Sequence, residues 1–160
     1  MPGTSDSDSI LAFSPQGVLL SNGPGNPAEY KEAILTIQAL LARSIPLFGI
    51  CLGHQLLGLA SGAKTIRLKQ GHHGSNHPIG EIATGKSFVS SQNHDYVIDV
   101  ETLPPHLRVT HRFLIDGSIA GMRRTDKPAF GFQGHPEASP GPRDLRHLFD
   151  HFFSLMDCRA

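Results

Sequence analysis

The chain has 160 residues, 14 basic against 14 acidic side chains, no formal net charge, and two cysteines, Cys51 and Cys158. That length suits one domain with a real core and crowds two. The balanced charge offers no basic field for a nucleic acid, no apolar run reaches the length of a membrane span, and two cysteines exclude a disulfide framework. The polar start over 1–8 lacks the basic and apolar regions of an export signal, so a reduced, cytoplasmic setting is expected.

A weak apolar pattern over 10–16 predicts a short helix ending at Pro15. Gly17 to Ser21 reads as a buried strand running into Asn22, Gly23, Pro24, Gly25, Asn26 and Pro27, a loop dense in turn formers. A helix is predicted over 28–43, with Tyr30, Ala33, Ile34, Ile37, Leu40 and Leu41 on one face. The apolar run 45–50 is a second buried strand, and Leu52, Leu56 and Leu59 then fall at helical spacing. Strand, helix, strand, helix in that order argues a parallel sheet with right-handed crossovers.

The middle changes character. Residues 64–69 alternate, 71–78 read as a loop, and short strands follow to 124, with turns at Thr84, Gly85, Lys86 and at Asp116, Gly117, Ser118. This predicts an antiparallel insertion or a mixed sheet edge. The α/β pattern returns with a strand through 129–134, a break at Pro140, Gly141 and Pro142, and a last helix over 143–156 whose stripe is Leu145, Leu148, Phe149, Phe152 and Met156.

Two motifs carry chemistry. Gly49, Cys51 and Gly53 sit at the junction of a strand and a helix, the nucleophile-elbow pattern with sulfur in place of oxygen. Small neighbours are needed because strand and helix approach closely there. The turn would set the sulfur at a helix N-terminus, where free amides and the dipole favour thiolate, and would aim the Leu52 amide at an oxyanion formed beside it. A lone intracellular cysteine is usually a small buried apolar side chain. The second motif is His135, Pro136, Glu137. The residue before proline is pushed toward extended backbone, and extended residues two apart face the same way. Imidazole and carboxylate then project together from the carboxyl end of a parallel strand, where open α/β sheets place their sites. Nucleophile, base and orienter make a Cys51–His135–Glu137 triad.

With these motifs the sequence resembles the class I (triad) glutamine amidotransferases. The runs Leu20 to Gly25, Gly71 to Pro78, Gln92–Asn93–His94, Arg123 to Pro128 and His135 to Pro142 are similar to the small-subunit group of carbamoyl-phosphate synthetases. The resemblance implies a flavodoxin-like, doubly wound, mostly parallel sheet with a small antiparallel addition. It implies glutaminase chemistry through a Cys51 glutamyl thioester, with L-glutamine held by Gly23, Gly25, Leu52, Gln55, Asn93, Asp95 and Tyr96. Ammonia would pass to a large synthetase subunit, which uses ATP, bicarbonate and magnesium; this chain would need no cofactor of its own. Another class I amidotransferase, a gamma-glutamyl hydrolase, or an inactive piece that only docks on a partner are the alternatives. Asp95 stands where the family usually has glycine, and Asn26 where aspartate is common. The family's domain opens with a strand and a helix ahead of the region matching Met1, so the chain is expected to be an incomplete domain, prone to aggregation or low activity. His72, His73 and His77 could be metal ligands by residue type, but no cysteine or carboxylate set accompanies them, and a structural loop is expected instead.

Overall fold

The computed structural model describes residues 1–137 and 145–158. The apolar run becomes β2 (Leu47–Ile50), with all four residues buried. Parallel neighbours flank it: β1 (Val18–Leu20), with Val18 opposite Leu47, and β7 (Ala129–Phe132), with Leu47 opposite Ala129 and Ile50 opposite Phe132. Parallel strands cannot be joined by a tight turn. Accordingly α2 (Lys31–Ala42) lies between β1 and β2 in the chain, and α3 (Leu52–Ala60) follows β2.

Alternation along β2 and β7 sorts side chains to the two faces. Leu47 and Ala129 join the core under α2 and α3, with Ile37, Leu40, Leu41, Leu52, Leu56 and Leu57. Phe48, Ile50, Phe130 and Phe132 point the other way, into a core closed by Leu145, Leu148 and Phe152 of the last helical segment, α4 (His147–Asp157), and the residues just before it. Phe48 and Phe130 stack with centroids 4.4 Å apart. On the α3 face the carboxyl ends of both strands carry only glycine, Gly49 and Gly131, and α3 settles directly onto them: a Cβ at Gly49 would lie 2.5 Å from the Gly53 carbonyl oxygen, and one at Gly131 2.7 Å from His54 Nδ1.

The antiparallel part is larger than the small addition expected. The strands run in the order β1-β2-β7-β6-β5-β3-β4, where β3 is Thr65–Glu81, β4 Ser87–Ile98, β5 Leu107–Phe113 and β6 Ile119–Arg124. The α/β class and the parallel, helix-covered nucleus are as expected; four of the seven strands form the antiparallel wing. The stretch 71–78 is not a loop but the middle of β3, paired as His72 to His94, His73 to Asn93 and His77 to Ser90. Its glycines, Pro78 and polar residues hide the alternation. The register shifts between Arg67 and His72 and between Gly74 and His77 absorb them as bulges, Gly74 taking a φ of 132°.

Local capping moves the helix starts. The first helix, α1, spans Ser7–Leu11 rather than 10–16, because the Asp6 carboxylate accepts from the Ser9 amide at 2.7 Å. The helix expected from 28 is split: Asn26 caps a 3-10 turn at Pro27–Glu29, and α2 begins after Tyr30. The predicted break at 140–142 and the start of the last helix at 143 lie outside the described residues.

Among the described glycines Gly53 leaves the least room, since a Cβ there would collide with the Leu20 carbonyl of β1. Backbone cannot yield as a side-chain tip can. Gly53→Ala is therefore expected to cost about 2 kcal/mol or more through overpacking, read as a lower urea midpoint. Gly3→Ala, with nothing within 4 Å of its Cβ position, is expected to leave that midpoint unmoved.

Candidate active site

The three-backbone junction of β1, β2 and α3 forces Cys51 into an unusual conformation. Its amide still donates to the Phe132 carbonyl at 3.0 Å, continuing the β2–β7 ladder, while its own carbonyl accepts the first α3 bond, from the Gln55 amide at 3.1 Å. Being the last ladder residue and the N-cap of a helix at once gives it φ 52° and ψ −106°. Positive φ in a non-glycine residue costs on the order of 1–3 kcal/mol and persists only where its surroundings impose it. The Leu52 amide, first in α3, has no intrahelical acceptor. The thiol is nearly buried: the Gln133 side-chain amide donates toward Sγ at 3.8 Å, and the Asn93 carbonyl lies 4.0 Å from it.

His135 reaches the sulfur from beyond the end of β7. Its backbone amide donates to the Ser91 carbonyl at 3.0 Å, tying this segment to β4. Nδ1 lies 2.8 Å from Glu137 Oε1, which leaves Nε2 for the hydrogen bond with Cys51. That bond, and after it the Glu137 carboxylate, raise the His135 pKa to about 10 against the opposing effect of burial. The ring is thus held as imidazolium at neutral pH. Cys51, His135 and Glu137, anticipated as a triad from two distant motifs, meet as one chain of contacts.

Beside the sulfur opens a cleft of about 330 Å³, within the range of small-ligand sites. The glycine-rich loop forms one wall with Gly23, Pro24, Gly25 and Asn26; Cys51 and Gln55 form the floor; Asn93, His94, Asp95 and Tyr96 of β4, with Arg67 and His73 of β3, form the other wall. Six of the anticipated binding residues, Gly23, Gly25, Gln55, Asn93, Asp95 and Tyr96, line it together. The Leu52 side chain does not: it packs into the α2–α3 core and beneath Gly23. Gln55 is buried, and its Nε2 donates to the Tyr96 carbonyl at 2.7 Å and to Gln133 Oε1 at 3.2 Å, bracing the β4 wall against α3.

Four residues of this neighbourhood escaped the sequence reading. Gln133 could have been found by extending the same alternation that picked out His135 and Glu137. His73, His94 and Arg67 could not, because their place depends on the β3–β4 register. His94 is buried, its pKa lowered to about 3 by desolvation first and then by neighbouring His72; as a neutral ring its Nδ1 donates to the Tyr96 carbonyl at 2.9 Å. His73 is the opposite case. Hydrogen bonds to Asn93 Oδ1 at 2.8 Å and Asp95 Oδ1 at 3.1 Å raise its pKa. His72 is bound to Asp116 at 2.7 Å and His77 to the His73 carbonyl at 3.1 Å. Among the described residues no group of three His, Cys, Asp or Glu side chains is arranged to hold a metal ion.

The family model for glutamine amidotransferase class-I matches residues 1–155. The carbamoyl phosphate synthase small chain of Escherichia coli K12 is 54% identical over 157 residues, and that of Vibrio cholerae is 54% identical over 156; each match covers 98% of this chain and 41% of the relative. The chain thus spans about two fifths of the length of the curated relatives it matches. In fold it is similar to a protein of Thermoplasma acidophilum, with TM-score 0.84 and 20% identity over 99% of this chain and 80% of the other. It is also similar to a glutamine amidotransferase of Thermotoga maritima, with TM-score 0.65 and 21% identity over 88% and 64%. Motifs, fold and family model agree: the chain belongs to the class I glutamine amidotransferase family.

Proposed function

We propose that this chain is a glutaminase: it hydrolyses L-glutamine through a Cys51 glutamyl thioester and supplies ammonia to the large subunit of a carbamoyl-phosphate synthetase. The observation that carries the reading is the contact chain Cys51–His135–Glu137 at the side of a polar cleft of amino-acid size. The relatives' shared name, a synthase small chain, supports the partner.

The steps balance on these groups. The Cys51 sulfur attacks the side-chain amide carbon of glutamine. The oxyanion forms near the Leu52 amide and the backbone of the Gly23–Gly25 loop, where donors on fixed backbone need no reorganisation as charge develops. His135, held as imidazolium, gives its Nε2 proton to the leaving nitrogen, and the C–N bond breaks to release ammonia. The now neutral ring takes a proton from water, hydroxide adds to the thioester, and glutamate departs as the sulfur is restored. Glu137 keeps the ring oriented and stabilises its charged form. ATP, bicarbonate and magnesium belong to the partner subunit. The cytoplasm is the proposed setting, since a free nucleophilic thiol must stay reduced; no helix among the described residues is long and apolar enough to cross a membrane.

The direct test follows glutamate and ammonia release from L-glutamine, with and without the large subunit, and looks for a glutamyl adduct on Cys51 by mass spectrometry after acid quench. Cys51→Ala is expected to lower turnover by about 10⁴-fold or more and to remove the adduct. Turnover that survives the substitution would refute the thiol mechanism.

The electrostatic part has its own check. His135 should titrate by NMR near pH 10, far above the usual histidine value of 6.5. Glu137→Gln is expected to move the midpoint down, and Cys51→Ala to move it further, in the order of their contributions. Because the folded-state pKa is raised, the stabilisation is whole below pH 6.5 and fades as pH climbs through about 10. Loss of stability from Glu137→Gln should therefore shrink above that pH.

A further inference from the structure

Behind the sulfur, away from the cleft, stands a polar side chain that the hydrolysis as written leaves idle. Gln133 is fully buried (0% exposed) and does not line the cleft. It follows β7 with the strand parity of Gly131, so it faces α3, and its backbone amide donates to the Ala120 carbonyl of β6 at 2.8 Å. A primary amide in such a place costs free energy unless its oxygen and its nitrogen are both bonded.

The orientation of that amide is fixed by its neighbours. The Tyr96 carbonyl can only accept, so the Gln55 atom 2.7 Å from it is the nitrogen, Nε2. The same nitrogen lies 3.2 Å from Gln133, so the atom it meets there is the oxygen, Oε1. The other end of the Gln133 amide, Nε2, is thereby turned to Cys51 Sγ at 3.8 Å. A backbone carbonyl of β4 thus sets, through two amides, which atom of Gln133 meets the nucleophile.

What meets the sulfur matters because its two forms bond differently. A thiol is a weak acceptor, whereas a thiolate takes a charge-assisted bond about twice as strong as a neutral one. An N–H aimed at the sulfur therefore favours the ionised form. The Asn93 carbonyl, 4.0 Å from Sγ, accepts only from the thiol. His135 bonds the sulfur as well, but it gives its proton to the leaving nitrogen within the cycle. The Gln133 amide does not ionise and offers the same donor at every step.

We infer that Gln133, aimed by Gln55, is a further catalytic residue of this site: its Nε2–H holds Cys51 as thiolate before attack, and steadies the sulfur again when the C–S bond of the glutamyl thioester breaks and its electron pair returns there. The inference rests on the glutaminase reading, which makes Cys51 the nucleophile, and adds the donor that keeps it ionised. Toward the sulfur, Gln55 is a positioning residue.

The test reads the pH profile of Cys51 alkylation by iodoacetamide, which needs no substrate site. Gln133→Met keeps the length of the side chain and removes the donor. In the full chain the midpoint of the profile is expected to rise by about one pH unit, the scale of one hydrogen bond to a charged group. The limiting rate at high pH should not fall, because a more basic thiolate is no weaker a nucleophile; a merely structural disturbance would change that rate and leave the midpoint. Exposed Cys158 is the internal reference, with a profile that should not move. The ionisable groups around the sulfur are the same in both chains: His135, His54 of α3, and Arg67, His73, His94, Asp95 and Tyr96 across the cleft. Should the variant fail to fold, the unsubstituted chain decides. Its Gln133 side-chain amide protons, followed by NMR, should shift with pH at the Cys51 midpoint, and that shift should vanish in Cys51→Ala. An unmoved midpoint in folded Gln133→Met, or a Gln133 amide insensitive to the state of Cys51, overturns the inference while a glutamyl adduct on Cys51 keeps the glutaminase reading. Absence of that adduct in the unsubstituted chain removes the reading and the inference with it.

Discussion

Among the described glycines, Gly53 in the first turn of α3 leaves the least room for a side chain, since a Cβ there would collide with the Leu20 carbonyl at the end of β1. Two further glycines, Gly49 and Gly131, flatten the sheet under the same turn. With no side chain between helix and strands, Cys51 must connect β2 to α3 within a single residue, and its positive φ is the consequence. A bulkier junction would leave room for a longer turn, a relaxed backbone and a sulfur pointing elsewhere. The strain at one residue is thus held by three residues that have no side chain at all, and the apolar cores on both faces hold those in turn.

That junction makes only half of the cleft. The other wall is the β3–β4 hairpin, whose pairing sets His73 opposite Asn93 and brings Asp95 and Tyr96 over Gln55. Besides the contact of Cys51 Sγ with the Asn93 carbonyl, two hydrogen bonds tie the halves together. Gln55 of α3 donates to the Tyr96 carbonyl, and the His135 amide donates to the Ser91 carbonyl. Both ties run from the parallel nucleus to the backbone of β4, so hairpin position and histidine position are set by one frame. The pair of Asp95 and His73 stands on this hairpin wall, while the elbow belongs to the parallel nucleus.

What the sequence made legible follows from the range of the interactions. The elbow is local: Gly49, Cys51 and Gly53 lie within five residues, and the strand-to-helix switch is written in the spacing of Leu52 and Leu56. The His135–Glu137 pair is local too, fixed by Pro136 and strand parity. Their meeting is not local, yet parallel α/β topology delivers the carboxyl ends of β2 and β7 to the same rim, and the resemblance to a triad family made the pairing explicit. The hairpin was the opposite. Residues 71–78 read as a loop because glycine, proline and polar residues erase alternation, while the information that makes them strand lies in the partner β4 and in two bulges. Arg67, His73 and His94 were missed for that reason alone. Leu52 does not line the cleft, because its side chain belongs to the core.

The site's charge pattern emerges from one residue type placed in contrasting surroundings. His54 and His94 are buried, and desolvation lowers both pKa values to about 3. His111 is lowered to about 4 for the same first reason, although Glu81 pulls the other way. His135 is partly buried as well, yet its bonds to Cys51 and Glu137 outweigh desolvation and raise it to about 10. The sign of each shift then fixes a window. Histidines kept neutral stabilise the fold above pH 6.5, and that contribution is lost as pH falls toward 3 to 4; the imidazolium of His135 is secure below 6.5 and lost as pH rises through about 10. Between those limits the buried rings are neutral spacers, while His135 is charged beside the sulfur and the bonds to Asn93 and Asp95 raise the His73 pKa. A proton donor beside the sulfur therefore persists over the neutral range, because burial silences the histidines behind it.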